Sequence, residues 1–276
     1  MNSSLAPLDV SVVVPTRNAG RLLDECLASI RRNGAKELIV VDGDSTDDTL
    51  AIAERYGATI LTDSGRGLPV ARYLGAQHAT SARVALIDAD VVLPDGCLRT
   101  LLEEFEADQY TALQAGLHSV SGDGYWGRAL AYHHRTGRSR RWFGLVATIF
   151  EREVLLEHGF DQRFTSGEDI EMRWRLVDAG AKIGVSERTV VTHRFADDSF
   201  EFALGQFRAD GKGLGRMIRK RGFGALRLVL LPAAAAVRGI ALCVVRLQPK
   251  WIPYFLTFAV MNYASMSSVI WERDHT

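Results

Sequence analysis

The sequence has few cysteines and no excess of charge of either sign. Its three cysteines stand far apart without a C-x-x-C pair, which is typical of a reducing compartment and argues against a zinc site. Lys plus Arg and Asp plus Glu each number 33, so no net field favours nucleic acid as a partner. The first residues lack a basic segment followed by an apolar one, and we therefore expect no cleaved signal peptide.

Two common phosphate-binding motifs are also missing. No G-x-G-x-x-G follows the first apolar run, as a Rossmann dehydrogenase would require, and there is no P-loop. The first third instead alternates short β-branched runs, beginning at Val10, with segments of helical periodicity, beginning at Arg21. This alternation predicts an α/β fold with right-handed βαβ units and a mostly parallel central sheet flanked by helices.

Polar residues stand where three predicted strands end. They are Pro15-Thr16-Arg17-Asn18, Asp42 and Asp88-Ala89-Asp90. Ligands of open parallel sheets bind outside the carboxyl ends of the strands, so we expect these segments to line one crevice. Asp88 and Asp90 are two residues apart on an extended chain and point the same way, which suits a divalent cation. The alternative is a polar strand end whose carboxylates cap a turn.

These segments, in this order, resemble the family 2 glycosyltransferases of the GT-A fold. The resemblance runs over roughly residues 10 to 200, with Asp88-Ala89-Asp90 as the family's D-x-D. It implies an inverting enzyme in which Asp42 accepts a hydrogen bond from the base of the donor. The nucleotide-sugar-binding residues implied are Pro15, Thr16, Arg17, Asn18, Asp42, Arg72, Asp88 and Ala89. The resemblance also implies a divalent metal, Mn²⁺ or Mg²⁺, held by Asp90, Asp88 and His193.

A further acidic motif, Gly167-Glu168-Asp169, opens a predicted helix. Acids favour a helix N-terminus, and Asp169 stands four residues before Arg173, so helix stabilisation alone would explain the motif. The family resemblance instead makes Asp169 the catalytic base and gives Glu168 a supporting catalytic role.

The segment from Tyr125 to Trp142 interleaves aromatic and basic side chains. One interpretation is a basic-aromatic surface for an anionic acceptor or lipid headgroups. The other is a solvated helix with a packed aromatic side. The sequence leaves both open.

The composition changes after Phe195, and we predict a GT-A catalytic domain over 1–210, followed over 211–276 by a basic loop and an apolar helical hairpin. Ala225 to Leu247 is apolar except for three arginines, which would share one side of an α-helix, as in an interfacial helix. Trp251 to Ile270 is uncharged and about 20 residues long, as a membrane span requires. We expect a membrane-attached hairpin at the cytoplasmic face of the inner or plasma membrane. Buried helices at the interface of a homo-oligomer are the alternative.

The predicted function is therefore metal-dependent hexosyl transfer from a nucleotide-diphosphate sugar to a glycan or lipid-linked acceptor of the cell envelope. Two other functions are weighed against it: a non-catalytic nucleotide-sugar-binding module and a membrane-surface interaction protein. Intact Asp90 and Asp169 argue against the first, since a binding module needs no base. The second leaves the polar strand ends unexplained.

Overall fold

A computed structural model of the chain describes residues 7–137 and 143–271. The strands within these ranges are β1 (Leu8–Thr16), β2 (Ala35–Asp42), β3 (Thr59–Thr62), β4 (Arg83–Ile87), β5 (Val91–Val92), β6 (Ala112–Val120), β7 (Ala147–Glu151) and β8 (Ile183–Arg194). The α-helices are α1 (Gly20–Arg32), α2 (Thr49–Arg55), α3 (Leu68–His78), α4 (Cys97–Ala107), α5 (Tyr125–Thr136), α6 (Arg152–His158), α7 (Glu168–Asp178), α8 (Phe200–Arg221), α9 (Leu231–Val245) and α10 (Ile252–Ile270).

The strands form one mixed sheet in the order β3-β2-β1-β4-β7-β6-β8-β5. β1 pairs in parallel with β2 and β4, and β2 pairs in parallel with β3. β7 runs antiparallel to β4 and β6, and β5 runs antiparallel to β8. The α/β architecture is confirmed. The predicted βαβ units build the parallel half, and strands later in the chain add the antiparallel half.

The central strand β1 carries the apolar run Val12-Val13-Val14 because both faces of the sheet are covered. Val12 and Val14 lie in one apolar layer, where Leu27 of α1 also packs. Val13 points to the other layer, which contains Ala71 and Ala76 of α3. A strand buried on both faces has an unbroken apolar sequence, and this is the pattern that identified β1.

The chain divides into two compact units. The first contains residues 1–118, 141–162 and 172–196, and the second contains 119–140, 163–171 and 197–276. Most of the sheet belongs to the first unit, and α5, α8, α9 and α10 belong to the second. The predicted appendage, 211–276, lies within the second unit. The basic loop predicted at its start is wrong, because residues 211–221 continue helix α8.

Glycines allow α8 and α10 to pack closely within the second unit. A Cβ on Gly211 would lie 2.4 Å from the carbonyl oxygen of Asn262, and one on Gly215 would lie 2.9 Å from that of Met266. The backbones of the two helices therefore touch where a larger residue would hold them apart.

The helix predicted over Ala225 to Leu247 is not a single α-helix, and this expectation is wrong. A 3-10 helix runs over Gly222–Leu230, and α9 begins at Leu231 with Pro232 in its first turn. Proline has no N–H and is tolerated only there, so the α-helix restarts at this point. The expected stripe of three arginines is divided, because Arg227 lies on the 3-10 helix.

The helix predicted over Trp251 to Ile270 matches α10 closely. Within the described residues, the helical stretch Phe200–Val245 is long and apolar enough to cross a membrane by length and composition.

We expect Gly75→Ala to destabilise the first unit. The added Cβ would lie 2.3 Å from Cγ1 of Val13, a fully buried side chain, and overpacking of this kind costs about 1–3 kcal/mol. Urea unfolding measures the effect, and the double variant with Val13→Ala should recover part of the loss, since the smaller side chain makes room. An unchanged midpoint for the single variant would show that α3 does not press on β1.

Candidate active site

The loops that follow β1 and β2 hold one another in place. The backbone N–H of Thr46 donates to Asn18 Oδ1 at 2.8 Å, and the Asn18 N–H donates to Ser45 Oγ at 2.8 Å. Asn18 has a φ of 49°, a left-handed conformation that asparagine tolerates. The end of this sheet therefore carries a fixed polar loop at the place where the sequence predicts a nucleotide.

Asp42 organises the same loop. Its Oδ2 accepts the backbone N–H of Ser45 at 2.9 Å, its Oδ1 accepts the Ser45 hydroxyl at 2.5 Å, and the residue is 5% exposed. Pro15 and Thr16 are buried beside it, whereas Arg17 and Asn18 are exposed. Of the predicted Pro15-Thr16-Arg17-Asn18 segment, the last two residues are the ones open to a ligand.

Asp63 is a site-forming residue that the sequence interpretation missed. Its buried carboxylate accepts the backbone N–H groups of Gly65 and Gly67, each at 2.9 Å. It thereby shapes the glycine loop that leads into α3 and Arg72. An Asp before a Ser-Gly-Arg-Gly run is turn chemistry, and that was the available signal.

Arg72 and Asp88 form an ion pair at the end of β4. Arg72 Nη2 lies 2.8 Å from Asp88 Oδ1, and the arginine side chain is only 2% exposed. The pKa of Asp88 is raised to about 6, because burial removes water from the carboxylate and outweighs the opposing charge of Arg72, while nearby Asp90 raises it further. Asp88 thus has a protein cation beside it, which sequence spacing did not reveal.

Asp90, in the turn just before β5, meets His193 on the neighbouring strand β8. His193 pairs in register with Val91, and its Nε2 lies 3.3 Å from Asp90 Oδ2. Burial lowers the pKa of His193, but the hydrogen bond and negative charge of Asp90 outweigh it, and the pKa is raised overall. Ala89, between the two aspartates, is half-buried. The structure therefore places His193 beside Asp90, and the metal role of these residues stays a prediction.

Oδ1 of Asp90, the oxygen that His193 does not contact, is suited to binding a cation. Asp90 Oδ1 is buried and has no hydrogen-bond partner among the described residues. A carboxylate oxygen beside an imidazole is a donor set that Mn²⁺ accepts, and Mg²⁺ commonly takes one or two carboxylates with the rest of its ligands from phosphates and water. Within residues 7–137 and 143–271 no three His, Cys, Asp or Glu side chains form a cation site by themselves. A cation there would take its remaining ligands from a bound molecule or from water.

The Glu168-Asp169 segment belongs to the second unit and lies against α8. Gly167 has a φ of 78°, and a Cβ on it would lie 2.7 Å from the Cα of Gly213. This glycine-to-glycine contact brings the backbone of the segment directly onto the helix. Glu168 is buried, and Asp169 is half-buried.

Two basic side chains of α8 fix the same segment. Arg216 donates to Ser166 Oγ at 2.7 Å, and Lys220 Nζ lies 2.6 Å from Oε1 of Glu171. The Glu171 side chain is 1% exposed, and a buried carboxylate of this kind needs its cation. The start of α7 is thus tied to α8 at three points along the segment.

Asp210 of α8 lies near Asp169. The pKa of Asp210 is raised to about 7, chiefly because surrounding protein displaces solvent, and also because the negative charge of Asp169 repels it. Asp210 nevertheless keeps an exposed surface and forms no hydrogen bond or ion pair within the part of the chain that the structure describes. The sequence interpretation missed this second acid, since nothing in the spacing links residue 210 to residue 169.

The aromatic side of α5 is packed, as one of the two interpretations of this segment proposed. Trp126 lies against Phe200, with ring centroids 4.6 Å apart, and the Tyr125 hydroxyl donates to the carbonyl oxygen of Lys250 at 2.6 Å. Tyr132 is buried. The residues Arg138, Arg140, Arg141 and Trp142 of the predicted basic-aromatic surface lie outside the described residues.

The predicted site residues thus fall into two groups. Asp42, Arg72, Asp88, Asp90 and His193 belong to the first unit, and Glu168 and Asp169 belong to the second. Their meeting in one cleft stays a prediction.

Comparison with known sequences gives related enzymes of several kinds. The chain is 29% identical over 202 residues to the pre-mycofactocin glycosyltransferase of Mycobacterium tuberculosis, covering 67% of this chain and 42% of that protein. It therefore spans less than half of that relative's length. It is 33% identical over 181 residues to an uncharacterized glycosyltransferase of Mycobacterium bovis, covering 63% of this chain and 81% of the relative.

Comparison with solved structures shows the fold. A mannosyltransferase from Pyrobaculum calidifontis, in complex with GDP-mannose and Mn²⁺, aligns with a TM-score of 0.70 at 20% identity, covering 98% of this chain and 89% of that one. Glucosyl-3-phosphoglycerate synthase from Mycobacterium tuberculosis, in complex with Mn²⁺, UDP and glucosyl-3-phosphoglycerate, aligns with a TM-score of 0.57 at 20% identity. The alignment covers 77% of this chain and 80% of that one. Both are GT-A glycosyltransferases, and the predicted fold class is confirmed.

The sequence family is the remaining comparison. The model of glycosyl transferase family 2 matches residues 11–157, which include the loops after β1 and β2 and the aspartates after β4. This match extends over more than half of the sequence, and the chain belongs to glycosyl transferase family 2.

Proposed function

We propose that this chain transfers a sugar from a nucleotide-diphosphate sugar to an acceptor hydroxyl, with inversion at the anomeric carbon. The observation that carries the proposal is the buried Oδ1 of Asp90, beside His193, which has no hydrogen-bond partner in the part of the chain that the structure describes. Leaving such an oxygen unpaired costs about 1–3 kcal/mol, so a bound cation is its natural partner. Family membership and the nucleotide and Mn²⁺ of the solved neighbours support the same function.

The donor would lie along the carboxyl ends of β1, β2 and β4. The exposed Arg17 and Asn18 would face the nucleotide, and Asp42 would contact the base from the loop that it organises. Asp88, already paired with Arg72, would suit the ribose or the donor sugar better than the metal, because its charge is partly neutralised. Asp90 and His193 would hold Mn²⁺ or Mg²⁺ on the diphosphate, with Asp88 next to them. A cation there stabilises the negative charge on the leaving nucleoside diphosphate.

Asp169 would act as the general base. Its carboxylate takes the proton of the acceptor hydroxyl as that oxygen bonds to the anomeric carbon. The bond from this carbon to the diphosphate oxygen breaks, and the nucleoside diphosphate leaves with the electron pair. One displacement at one carbon gives inversion. The buried Glu168 would help to hold the segment in place.

The acceptor that we propose is a lipid-linked or cell-envelope glycan precursor. The related proteins act on different acceptors by name, among them pre-mycofactocin and 4,4'-diaponeurosporenoate, so the acceptor must be argued from this chain. The apolar helices of the second unit support attachment to the cytoplasmic face of the inner or plasma membrane, where such an acceptor would be found. Measured transfer would exclude the non-catalytic module and the simple interaction protein.

We expect Asp169→Asn to lower the transfer rate by about 10²–10⁴-fold, because the amide cannot take a proton. Affinity for the nucleotide sugar, measured by calorimetry with Mn²⁺ present, should stay within two-fold or so. Asp178→Asn, at the other end of α7, is the matched control and should keep full activity. Wild-type transfer by Asp169→Asn would remove Asp169 from the role of base.

Metal affinity should fall as the pH is lowered toward the pKa values of His193 and Asp88. Asp88 has a pKa of about 6 and His193 has a raised pKa, and a protonated carboxyl or imidazolium cannot bind a cation. Protons therefore compete with Mn²⁺ as the pH falls, and the apparent affinity should drop about ten-fold per pH unit for each proton displaced. Titration with Mn²⁺ by electron paramagnetic resonance measures this.

The matched variants for the metal are Asp90→Asn and Asp95→Asn, which remove the same charge from the site and from an exposed turn. The first should abolish metal-dependent donor binding, and the second should leave it unchanged. Affinity that does not change with pH, or an Asp90→Asn variant that still binds Mn²⁺ normally, would contradict the assignment.

Gly213→Ala should lower kcat by about 10²-fold with little effect on donor affinity, since a base misplaced by about 1 Å loses roughly that much. The new Cβ would lie 2.9 Å from the Cα of Gly167 and push the segment of Asp169 away from α8. Gly205→Ala, on the same helix with no atom within 4 Å, is the benign control. Gly211→Ala is a second control, because its added Cβ would push α8 away from α10 and not from the segment of Asp169. An equal loss of kcat in Gly211→Ala would mean that general loosening of the helix, and not displacement of the base, explains the effect.

A further inference from the structure

The second unit exposes apolar side chains on a scale that is unusual for a protein surface. Phe223 is 94% exposed, Leu247 87%, Val245 78%, and Val237 68%. Single exposed hydrophobic residues are ordinary in soluble proteins, but here they follow one another over about 50 residues of chain. Such a surface is unfavourable in contact with water, so we expect it to contact another molecule.

These side chains form stripes on two neighbouring helices. On α9 the exposed positions include Leu231, Val237 and Val244, and on α10 they include Leu256 and Val260. The helices are in contact, because a Cβ on Gly239 of α9 would lie only 2.2 Å from the ring of Phe255 on α10. The Tyr263 hydroxyl also donates to the carbonyl oxygen of Val229, at 2.7 Å. We call the exposed side of residues 223–260 the basic-apolar face.

The opposite sides of the same helices are occupied by protein. Phe258, Asn262 and Met266 of α10 are buried, and Gly211 and Gly215 of α8 press against the backbone of α10. Helix α8 is itself charged along its length and ends in Arg219-Lys220-Arg221. A helix packed in this way cannot be surrounded by lipid on all sides.

Helix α9 taken alone is too short to cross a bilayer, although the longer helical stretch Phe200–Val245, which it ends, has the length. Its 15 residues extend over about 22 Å, against about 30 Å of hydrocarbon. The residues before it form a 3-10 helix that carries Arg227, and Arg238 stands in the middle of α9. A short helix with one apolar side and one packed side is typical of a segment that lies in the plane of the membrane interface.

The positive charge of residues 211–250 favours an anionic partner. No Asp or Glu occurs between Asp210 and Glu272, whereas the same stretch contains nine basic residues: Lys212, Arg216, Arg219, Lys220, Arg221, Arg227, Arg238, Arg246 and Lys250. The side chains of Arg238, Arg246 and Lys250 are exposed beside the apolar stripes. Long basic side chains lay their stems on apolar surface and extend their charges to phosphate groups. A second copy of the chain would bring like charges together without any acid to pair with them.

We propose that the basic-apolar face docks on one leaflet of an anionic bilayer, with its apolar side chains inserted among the acyl chains and its basic residues at the lipid phosphates, without crossing the membrane. This deepens the membrane attachment of the proposed function by naming the surface, the lipid charge and the depth. Since α8 packs on α10 and also carries the Asp169 segment, docking would hold the proposed base at the level of the lipid headgroups. An acceptor hydroxyl of a lipid-linked precursor lies at that level.

Flotation of the purified full chain with vesicles tests the proposal. The protein should float with vesicles of phosphatidylcholine containing about 30% phosphatidylglycerol, and much less with phosphatidylcholine alone. High salt should weaken binding, and alkaline carbonate should release the protein, because it does not span. Absence of binding to anionic vesicles at low salt, or resistance to carbonate, would overturn the proposal.

Two sets of variants identify the surface. Val237→Ser with Val245→Ser should lower vesicle binding at least ten-fold, while Val177→Ser, an exposed apolar residue of the first unit, should leave it unchanged. Arg246→Gln and Lys250→Gln should each lower binding to anionic vesicles about five-fold.

Transfer to a water-soluble acceptor should be equal in all these variants. This separates failure of the docking proposal from failure of the proposed transferase, which would show as no transfer by the wild type. If the wild type is a dimer by light scattering and Val237→Ser makes it a monomer, the face is an interface between copies and the proposal is wrong.

Discussion

Burial of negative charge at the carboxyl edge of the sheet is the constraint on which the rest of the first unit depends. Parallel strands β1, β2 and β4 end side by side, and β4 brings two aspartates into a partly dehydrated place. Arg72 neutralises Asp88, His193 contacts one oxygen of Asp90, and the other oxygen has no protein partner in the described chain. A carboxylate oxygen in this condition supports the proposed cation, which would bind together with the donor.

The second unit depends in a similar way on α8. Its glycines let it approach other backbones on two sides: Gly213 touches the segment of Asp169, and Gly211 and Gly215 touch α10. Arg216 and Lys220 add polar ties to the first of these contacts. A single rigid helix thus links the proposed base to the helices that carry the basic-apolar face. Chemistry on a lipid-linked acceptor would need such a link, because the acceptor hydroxyl lies at a fixed height above the bilayer.

The pattern of apolar residues in the sequence predicted those strands and helices whose formation depends on their own buried faces. The β-branched run from Val10 to Val14 lies within β1, and the helical stripe from Arg21 to Arg31 lies within α1, because burial on one or both faces leaves a periodic trace. Helix α10 was predicted within one residue of its start for the same reason. The break before α9 was missed, although Pro232 is the residue that requires it.

The partners of the site residues could not be predicted by pattern. Arg72 and Asp88 are 16 residues apart on different parts of the fold, and His193 pairs with Val91, which lies far from it in the sequence. Asp63 and Asp210 were missed because their roles arise from a loop shape and from a helix contact. Spacing pointed to Asp88 and Asp90, and the resemblance to a known family supplied the roles of Asp169 and His193. The fold then distinguished Asp88, which pairs with Arg72, from Asp90, one of whose oxygens has no hydrogen-bond partner among the described residues.

The central claim is that acids from the two units act on one donor. A crystal structure of the full chain with Mn²⁺ and an unreactive nucleotide-sugar analogue measures this directly. The account predicts the metal on Asp90 and His193, and the carboxylate of Asp169 about 6 Å from the anomeric carbon, close enough for one acceptor hydroxyl to touch both. A metal bound elsewhere, or a carboxylate of Asp169 facing away from the donor sugar, would contradict it.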